Sequence, residues 1–177
     1  RWVSAGKHVA RFERAFSAKF GHAESLMVNS GSSANLVMLS ALKSYYAWSN
    51  LSEIIVSVVG FPTTVAPIVQ TGLRPVFIDI EMSSLNFDLS LIEEKITPFT
   101  KAIFLSPVLG NPPDMSRLLE ICAKHELKLI LDGCDSLGSM WNNFPLSRYA
   151  VATSCSFFPS HHISTGEGGM ISSRNPE

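Results

Sequence analysis

Seven short apolar runs space themselves along the chain at Leu26–Val28, Ile54–Val59, Pro75–Ile78, Ala102–Leu105, Leu127–Leu131, Ala150–Cys155 and Gly169–Ile171. They lack the polar alternation of half-solvated strands, which is the pattern of strands buried on both faces. Between them lie stretches with helical spacing. Val9, Phe12 and Phe16 mark a helix over Lys7–Phe20 with Gly21 as its stop, and Ser33–Tyr45 reads as a second helix. Asp114–Glu126 reads as a third, with Asp114 as N-cap and Met115, Leu118, Leu119 and Cys122 on one face. Strands alternating with helices predict a largely parallel, doubly wound α/β sheet. At 177 residues the chain has the length of one ordinary domain, and no internal repeat or low-complexity segment divides it.

Composition narrows the function. Fourteen basic against fifteen acidic residues give a formal charge of −1, which offers no polyelectrolyte footprint for nucleic acid and no cationic face for a lipid surface. The uncharged run Ile54–Leu73 has the length of a membrane span, but Gly60, Pro62 and Pro67 and its polar residues refuse that role; it reads as strand, loop and short helix. Cys122, Cys134 and Cys155 are too few for a disulfide framework and show no C-x-x-C spacing, which predicts a reducing, cytoplasmic setting. A small molecule is the partner expected.

In an open α/β sheet the ligand lies beyond the carboxyl ends of the strands, so the residues following each apolar run carry the chemistry. The first run is followed by Asn29-Ser30-Gly31-Ser32-Ser33-Ala34-Asn35, small residues opening a helix whose free amides favour an anion such as phosphate; the same residues also read as a plain N-cap. The fourth leads into the turn Ser106-Pro107-Val108-Leu109-Gly110-Asn111. The fifth ends in Asp132-Gly133-Cys134-Asp135. An acid at the end of a buried strand is costly unless it meets a cation or caps a helix, and a protonated heterocyclic nitrogen would suit it. After the sixth comes Ser156-Phe157-Phe158-Pro159-Ser160-His161-His162-Ile163-Ser164-Thr165-Gly166-Glu167-Gly168-Gly169. Adjacent histidines in an extended segment point apart, so a chelating pair is not expected, and one imidazole is free to act as a base.

These stretches, in this order, resemble the sugar aminotransferase (DegT/DnrJ/EryC1/StrS) family. The resemblance implies an aspartate aminotransferase-like (fold type I) large domain that uses pyridoxal phosphate: a mostly parallel seven-stranded sheet in a three-layer α/β/α sandwich. Ser30-Gly31-Ser32-Ser33 is similar to the family's phosphate loop, which implies that Ser32 and the amide of Ser33 bind the cofactor phosphate. Phe61 falls where an aromatic ring stacks on the pyridine. Asp132 falls where an aspartate pairs with the pyridine nitrogen and keeps the ring an electron sink. Asp135 takes the place of a glutamine that contacts the ring hydroxyl, and Ser156 that of a phosphate-binding serine. The family's Schiff-base lysine is replaced by His161, and no lysine occurs after Lys128.

That replacement resembles the 3-dehydratase branch, which acts on nucleotide-linked 4-keto-6-deoxyhexoses in dideoxysugar and lipopolysaccharide biosynthesis. The branch holds pyridoxamine phosphate without a covalent tether and uses the histidine as base. Its two types stay open here. One is similar to CDP-4-keto-6-deoxyglucose 3-dehydrase, adding a [2Fe–2S] cluster and a flavin/iron–sulfur reductase; Cys134, 27 residues before His161, matches the place of its first cluster ligand, and Gly166-Glu167-Gly168-Gly169 also favours this type. The other resembles GDP-4-keto-6-deoxymannose 3-dehydratase and has no cluster. A non-catalytic homologue that binds sugar nucleotide is the further alternative. Arg1 in place of a methionine, and an end just after an apolar stretch, lead us to expect residues 1–177 to be part of a large domain, without its N-terminal segment and C-terminal small domain, in a homodimer.

Overall fold

The computed structural model describes residues 5–175; Arg1, Pro176 and Glu177, on which the expectation of a partial domain rests, lie outside them. In chain order the elements are α1 (Lys7–Phe20), β1 (Glu24–Val28), α2 (Gly31–Tyr45), β2 (Glu53–Ser57), α3 (Pro62–Gln70), β3 (Arg74–Ile78), α4 (Ile92–Lys95) and β4 (Thr100–Leu105). There follow α5 (Met115–Lys124), β5 (Lys128–Asp132), the small hairpin β6 (Met140–Trp141) and β7 (Phe144–Pro145), β8 (Ala152–Ser156) and β9 (Gly169–Ser173). All seven apolar runs are strands of one sheet, ordered β1-β9-β8-β5-β4-β2-β3. Only β9 runs against its neighbours, pairing antiparallel with both β1 and β8.

Alternate residues of the central strands enter two different cores, which makes three layers. Ile55, Ile103, Leu105, Leu129 and Leu131 pack with Met115, Leu118 and Ile121 of α5 and Ile92 of α4. Ile54, Val56, Ala102, Phe104 and Ile130 pack on the other face with Met38 and Leu39 of α2 and Ile68 of α3. A third cluster joins Phe16 of α1 to Cys155, Phe157 and Met170. The central strands β2, β4, β5 and β8 are buried almost throughout, as unbroken apolar runs predict. The edge strands β1 and β3 are not: Leu26 and Phe77 lie exposed.

Helix ends follow local chemistry. α1 stops where Gly21 adopts the left-handed conformation, φ 73°, and its N–H reaches the Ser17 carbonyl. Asp114 caps α5, its carboxylate accepting from the amides of Ser116 and Arg117. Ser30 caps α2 in the same way, its hydroxyl accepting from the Ser33 amide.

In the seven-stranded sheet every strand but β9 ends at one edge, and β9 begins there. Gly169, its first residue, passes so close to the start of α2 that a β-carbon would collide with the Ser30 carbonyl and approach the Gly31 amide. Backbone cannot yield as a side chain can. In the full-length protein Gly169→Ala is expected to cost about 1–3 kcal/mol of stability through overpacking, read from the urea midpoint. An unchanged midpoint would show that β9 and α2 are not in this contact.

Candidate active site

At that edge a cavity of about 450 Å³ opens, a size ordinary for small-molecule sites. Its lining includes Ser32 from α2, Phe61 before α3, Asp132 and Asp135 after β5, and Ser156 and His161 after β8. Topology accounts for the convergence: β5 and β8 are parallel neighbours, with Asp132 registered against Ser154.

Asp132 is buried and holds four donors. Its Oδ2 accepts from Asn35 Nδ2 at 2.8 Å and Thr64 Oγ1 at 2.7 Å. Its Oδ1 accepts from the Cys134 amide at 3.2 Å and Ser154 Oγ at 3.3 Å. Hydrogen bonds to a charged group contribute about 1.5–3 kcal/mol each, which offsets a desolvation cost of several kcal/mol. Among the described residues the carboxylate makes no ion pair. An anion held by neutral donors at a cavity wall is a natural acceptor for a protonated ring nitrogen.

The opposite requirement, an anion site, lies at the start of α2. Ser33 N–H is taken by Ser30 Oγ at 3.1 Å and Ala34 N–H by the Ser30 carbonyl at 2.9 Å. Gly31 and Ser32 supply the remaining first-turn amides, which have no partner within a helix. Ser33, expected to offer its amide to a phosphate, is not among the cavity-lining residues, and its amide donates to Ser30 Oγ. A β-carbon on Gly31 would lie 2.7 Å from Ser156 Cβ and 2.8 Å from Cys134 Sγ, so only glycine lets the helix start sit against the end of β8. Ser156 is buried, its hydroxyl accepting from the Phe158 amide at 3.3 Å. Phe61 is 66% exposed and presents a free aromatic face. The pocket thus pairs an anion site with a carboxylate and a ring surface, a donor set that fits pyridoxal or pyridoxamine phosphate.

His161 and His162 do not lie in an extended segment. They follow a tight turn in which the His161 amide donates to the Phe158 carbonyl at 3.0 Å. Pro159 favours such a turn over a strand. The two side chains still separate: His161 is half-buried in the cavity lining, whereas His162 is exposed and outside it. The His161 Nδ1 stands 3.2 Å from Asp135 Oδ1. Cys134 also lines the cavity, where burial first and then the Asp132 carboxylate push its thiol far above its ordinary pKa. Among the described residues no three His, Cys, Asp or Glu side chains are grouped to hold a metal ion, and no helix is long and apolar enough to cross a membrane.

Asn35, Thr64 and Ser154, the side chains that donate to Asp132, are site residues that sequence reasoning missed. Thr64 lies three residues past Phe61, but nothing local assigns its hydroxyl to a carboxylate 68 residues away.

The profile of the DegT/DnrJ/EryC1/StrS aminotransferase family matches residues 1–177. The chain is 42% identical over 173 residues to the dTDP-4-dehydro-2,6-dideoxy-D-glucose 3-dehydratase of Saccharopolyspora spinosa, covering 96% of this chain and 37% of that one. It is 38% identical over 180 residues to the lipopolysaccharide biosynthesis protein RfbH of Salmonella typhimurium, covering 99% and 41%. Among solved structures, an E. coli GDP-4-keto-6-deoxy-D-mannose-3-dehydratase with bound hydrated PLP superposes with a TM-score of 0.92 at 37% identity, over 97% of this chain and 45% of that one. The chain therefore spans less than half the length of these relatives.

The hydrogen bonds around Asp132 should be energetically coupled. Thr64→Val in the full-length protein is expected to cost about 1–3 kcal/mol, and less in an Asp132→Asn background, with a coupling of about 0.5–3 kcal/mol in a double-mutant cycle followed by urea unfolding. Strict additivity would show that the Thr64 hydroxyl does not serve the carboxylate.

Proposed function

The chain belongs to the DegT/DnrJ/EryC1/StrS aminotransferase family, and on that premise we propose that the protein to which it belongs removes the C3 hydroxyl from a nucleotide-linked 4-keto-6-deoxyhexose in dideoxysugar, O-antigen-type polysaccharide biosynthesis. The observation that carries the reading is His161 in the wall of the cavity that also contains Asp132 and the start of α2. Lys128, the last lysine of the sequence, lies at the first residue of β5, with its ammonium over the Tyr46 ring and outside the cavity lining. An imidazole cannot form the Schiff base that a lysine forms, but it can carry a proton near neutral pH.

Bound pyridoxamine phosphate would supply an amine to condense with the C4 ketone and a ring to absorb the electron pair left by proton removal. The chain's own residues have separate tasks. The Gly31 and Ser32 amides and the Ser32 and Ser156 hydroxyls would hold the phosphate. The Asp132 carboxylate would accept from the ring nitrogen and keep it protonated. Phe61 would cover one ring face. His161 would take up the proton whose removal expels the C3 oxygen. We further propose that residues 1–177 form part of a large domain, a reading supported by relatives more than twice this length, and that the whole protein works as a homodimer in the cytoplasm.

The finer cofactor reading makes Cys134 one ligand of a [2Fe–2S] cluster served by a flavin/iron–sulfur reductase. A cluster takes four such donors, and on this chain the set is incomplete. The Cys134 thiol would also have to surrender the proton that burial and Asp132 help it keep. Iron and sulfide analysis of the full-length protein decides the matter: two of each per chain, lost in Cys134→Ser, support the cluster, and an active protein free of iron removes both cluster and reductase.

In the full-length protein loaded with pyridoxamine phosphate, His161→Asn is expected to lower dehydration on the order of 10²–10⁴-fold, the usual contribution of a general base, while cofactor still binds. Borohydride treatment with pyridoxal phosphate should leave no label on the chain. Near-normal dehydration by the Asn variant, or a reduced lysine adduct at the site, overturns the reading; cofactor and sugar binding without any turnover in the parent protein would establish the non-catalytic alternative.

A further inference from the structure

Besides Asp132 and His161 the cavity wall carries two charged residues, Asp135 and Glu167, and among the described residues it is Asp135 that pairs with the imidazole. Its Oδ1 lies 3.2 Å from Nδ1 of His161, an ion-pair distance at the long limit of N–H···O contacts. A carboxylate only accepts hydrogen bonds, whereas neutral imidazole has one donor nitrogen and one acceptor nitrogen. A ring engaged with Asp135 through Nδ1 must therefore carry its proton there. Nε2 is then the ring's sole proton acceptor.

Both partners are fixed by their own backbones. Asp135 sits in a loop where the Ser136 amide donates to the Gly133 carbonyl at 3.2 Å and the Ser139 amide to the Ser136 carbonyl at 3.0 Å. Ser139 Oγ ties that loop to the Gly110 carbonyl at 2.7 Å. Gly110 itself, at φ 78°, leaves no space for a side chain: a β-carbon would meet Ser139 Oγ at 2.9 Å and the Asp135 carbonyl at 3.1 Å. His161 is held by its turn bond to Phe158, and Ile163, two residues on, packs against the Phe157 cluster. The turn Val108-Leu109-Gly110 thus acts as a buttress for the acid that meets the base.

We propose that Asp135 is a positioning residue for His161, holding the imidazole in the Nδ1–H tautomer so that Nε2 is the atom that accepts and returns the proton. The Asp135 side chain is 55% exposed and that of His161 21%, so solvent screens much of the charge attraction. Orientation and tautomer choice are what the pair supplies. The step balances: Nε2 takes the proton of a C–H bond as that bond breaks, the electron pair left behind drives cleavage of the C3–O bond, and Nε2 gives the proton to the departing oxygen, which leaves as water, while the Nδ1–H stays against Asp135. The inference rests on the dehydratase reading above, and it differs from a role for Asp135 at the cofactor's ring hydroxyl.

The test uses the full-length protein labelled with ¹⁵N-histidine. The parent should show a protonated Nδ1 and an unprotonated, pyridine-type Nε2 for His161 in the cofactor-free state. Asp135→Asn, whose amide can donate to Nδ1, should move the proton to Nε2 and lower kcat on the order of 10²–10⁴-fold, with pyridoxamine phosphate affinity and sugar KM unchanged. Asp135→Glu should keep the Nδ1–H form and recover part of that loss. An Nε2–H tautomer in the parent overturns the proposal even if every variant misfolds. It is overturned equally by an Asn variant that changes tautomer without losing turnover, or that loses cofactor affinity with its tautomer intact. A parent with the expected tautomer and no dehydration would instead refute the function and leave the Asp135–His161 pair standing.

Discussion

The architecture of the site hangs on one buried carboxylate. Asp132 ends β5 in the middle of the sheet, where desolvating a charge costs several kcal/mol unless neighbours compensate. Its four donors come from four places: Asn35 on α2, Thr64 on α3, Ser154 on β8 and the backbone of the loop after β5. Satisfying one residue therefore fixes two helices and a neighbouring strand relative to the sheet edge. The start of α2 and the Phe61 turn are carried into place by the same bonds, because Asn35 lies one turn into α2 and Thr64 three residues past Phe61. Asn35 also donates to the Thr63 carbonyl at 3.0 Å, which clamps α2 to α3 directly.

The frame was legible in the sequence because it depends on local pattern. Unbroken apolar runs marked every strand of the main sheet, and Gly21 and Asp114 marked helix ends where the structure has them. The reversed direction of β9 was not legible, since an apolar run carries no sign of strand polarity. The site was legible in part. His161, Asp132, Phe61 and Ser156 do share one cavity, while the expected use of the Ser33 amide meets a competitor in the Ser30 hydroxyl, which claims it as an N-cap. The extended histidine pair became a turn because Pro159 and the Phe158 carbonyl close it. The donors to Asp132 escaped sequence reasoning for a different reason: Asn35 and Thr64 become partners of the acid only through the crossovers of the fold.

The cavity separates binding from proton transfer. The phosphate would be held by backbone amides at a helix start and by hydroxyls, which need no change of protonation. The ring nitrogen would be held by the Asp132 carboxylate, which neutral donors keep in place. The proton would be carried by His161, which lies on a turn outside regular structure and is paired with a carboxylate from a second loop. A covalent lysine would unite tethering and proton transfer in one side chain; with His161 as the proposed base, retention of the cofactor would fall wholly to noncovalent contacts.

That claim is tested most directly by a crystal structure of the full-length protein with pyridoxamine phosphate. The account predicts the phosphate on the Gly31 and Ser32 amides, the ring nitrogen within hydrogen-bond distance of the Asp132 carboxylate, the ring against Phe61, and no covalent bond between cofactor and chain. A cofactor phosphate bound away from the start of α2, or a ring nitrogen turned from Asp132, would contradict it.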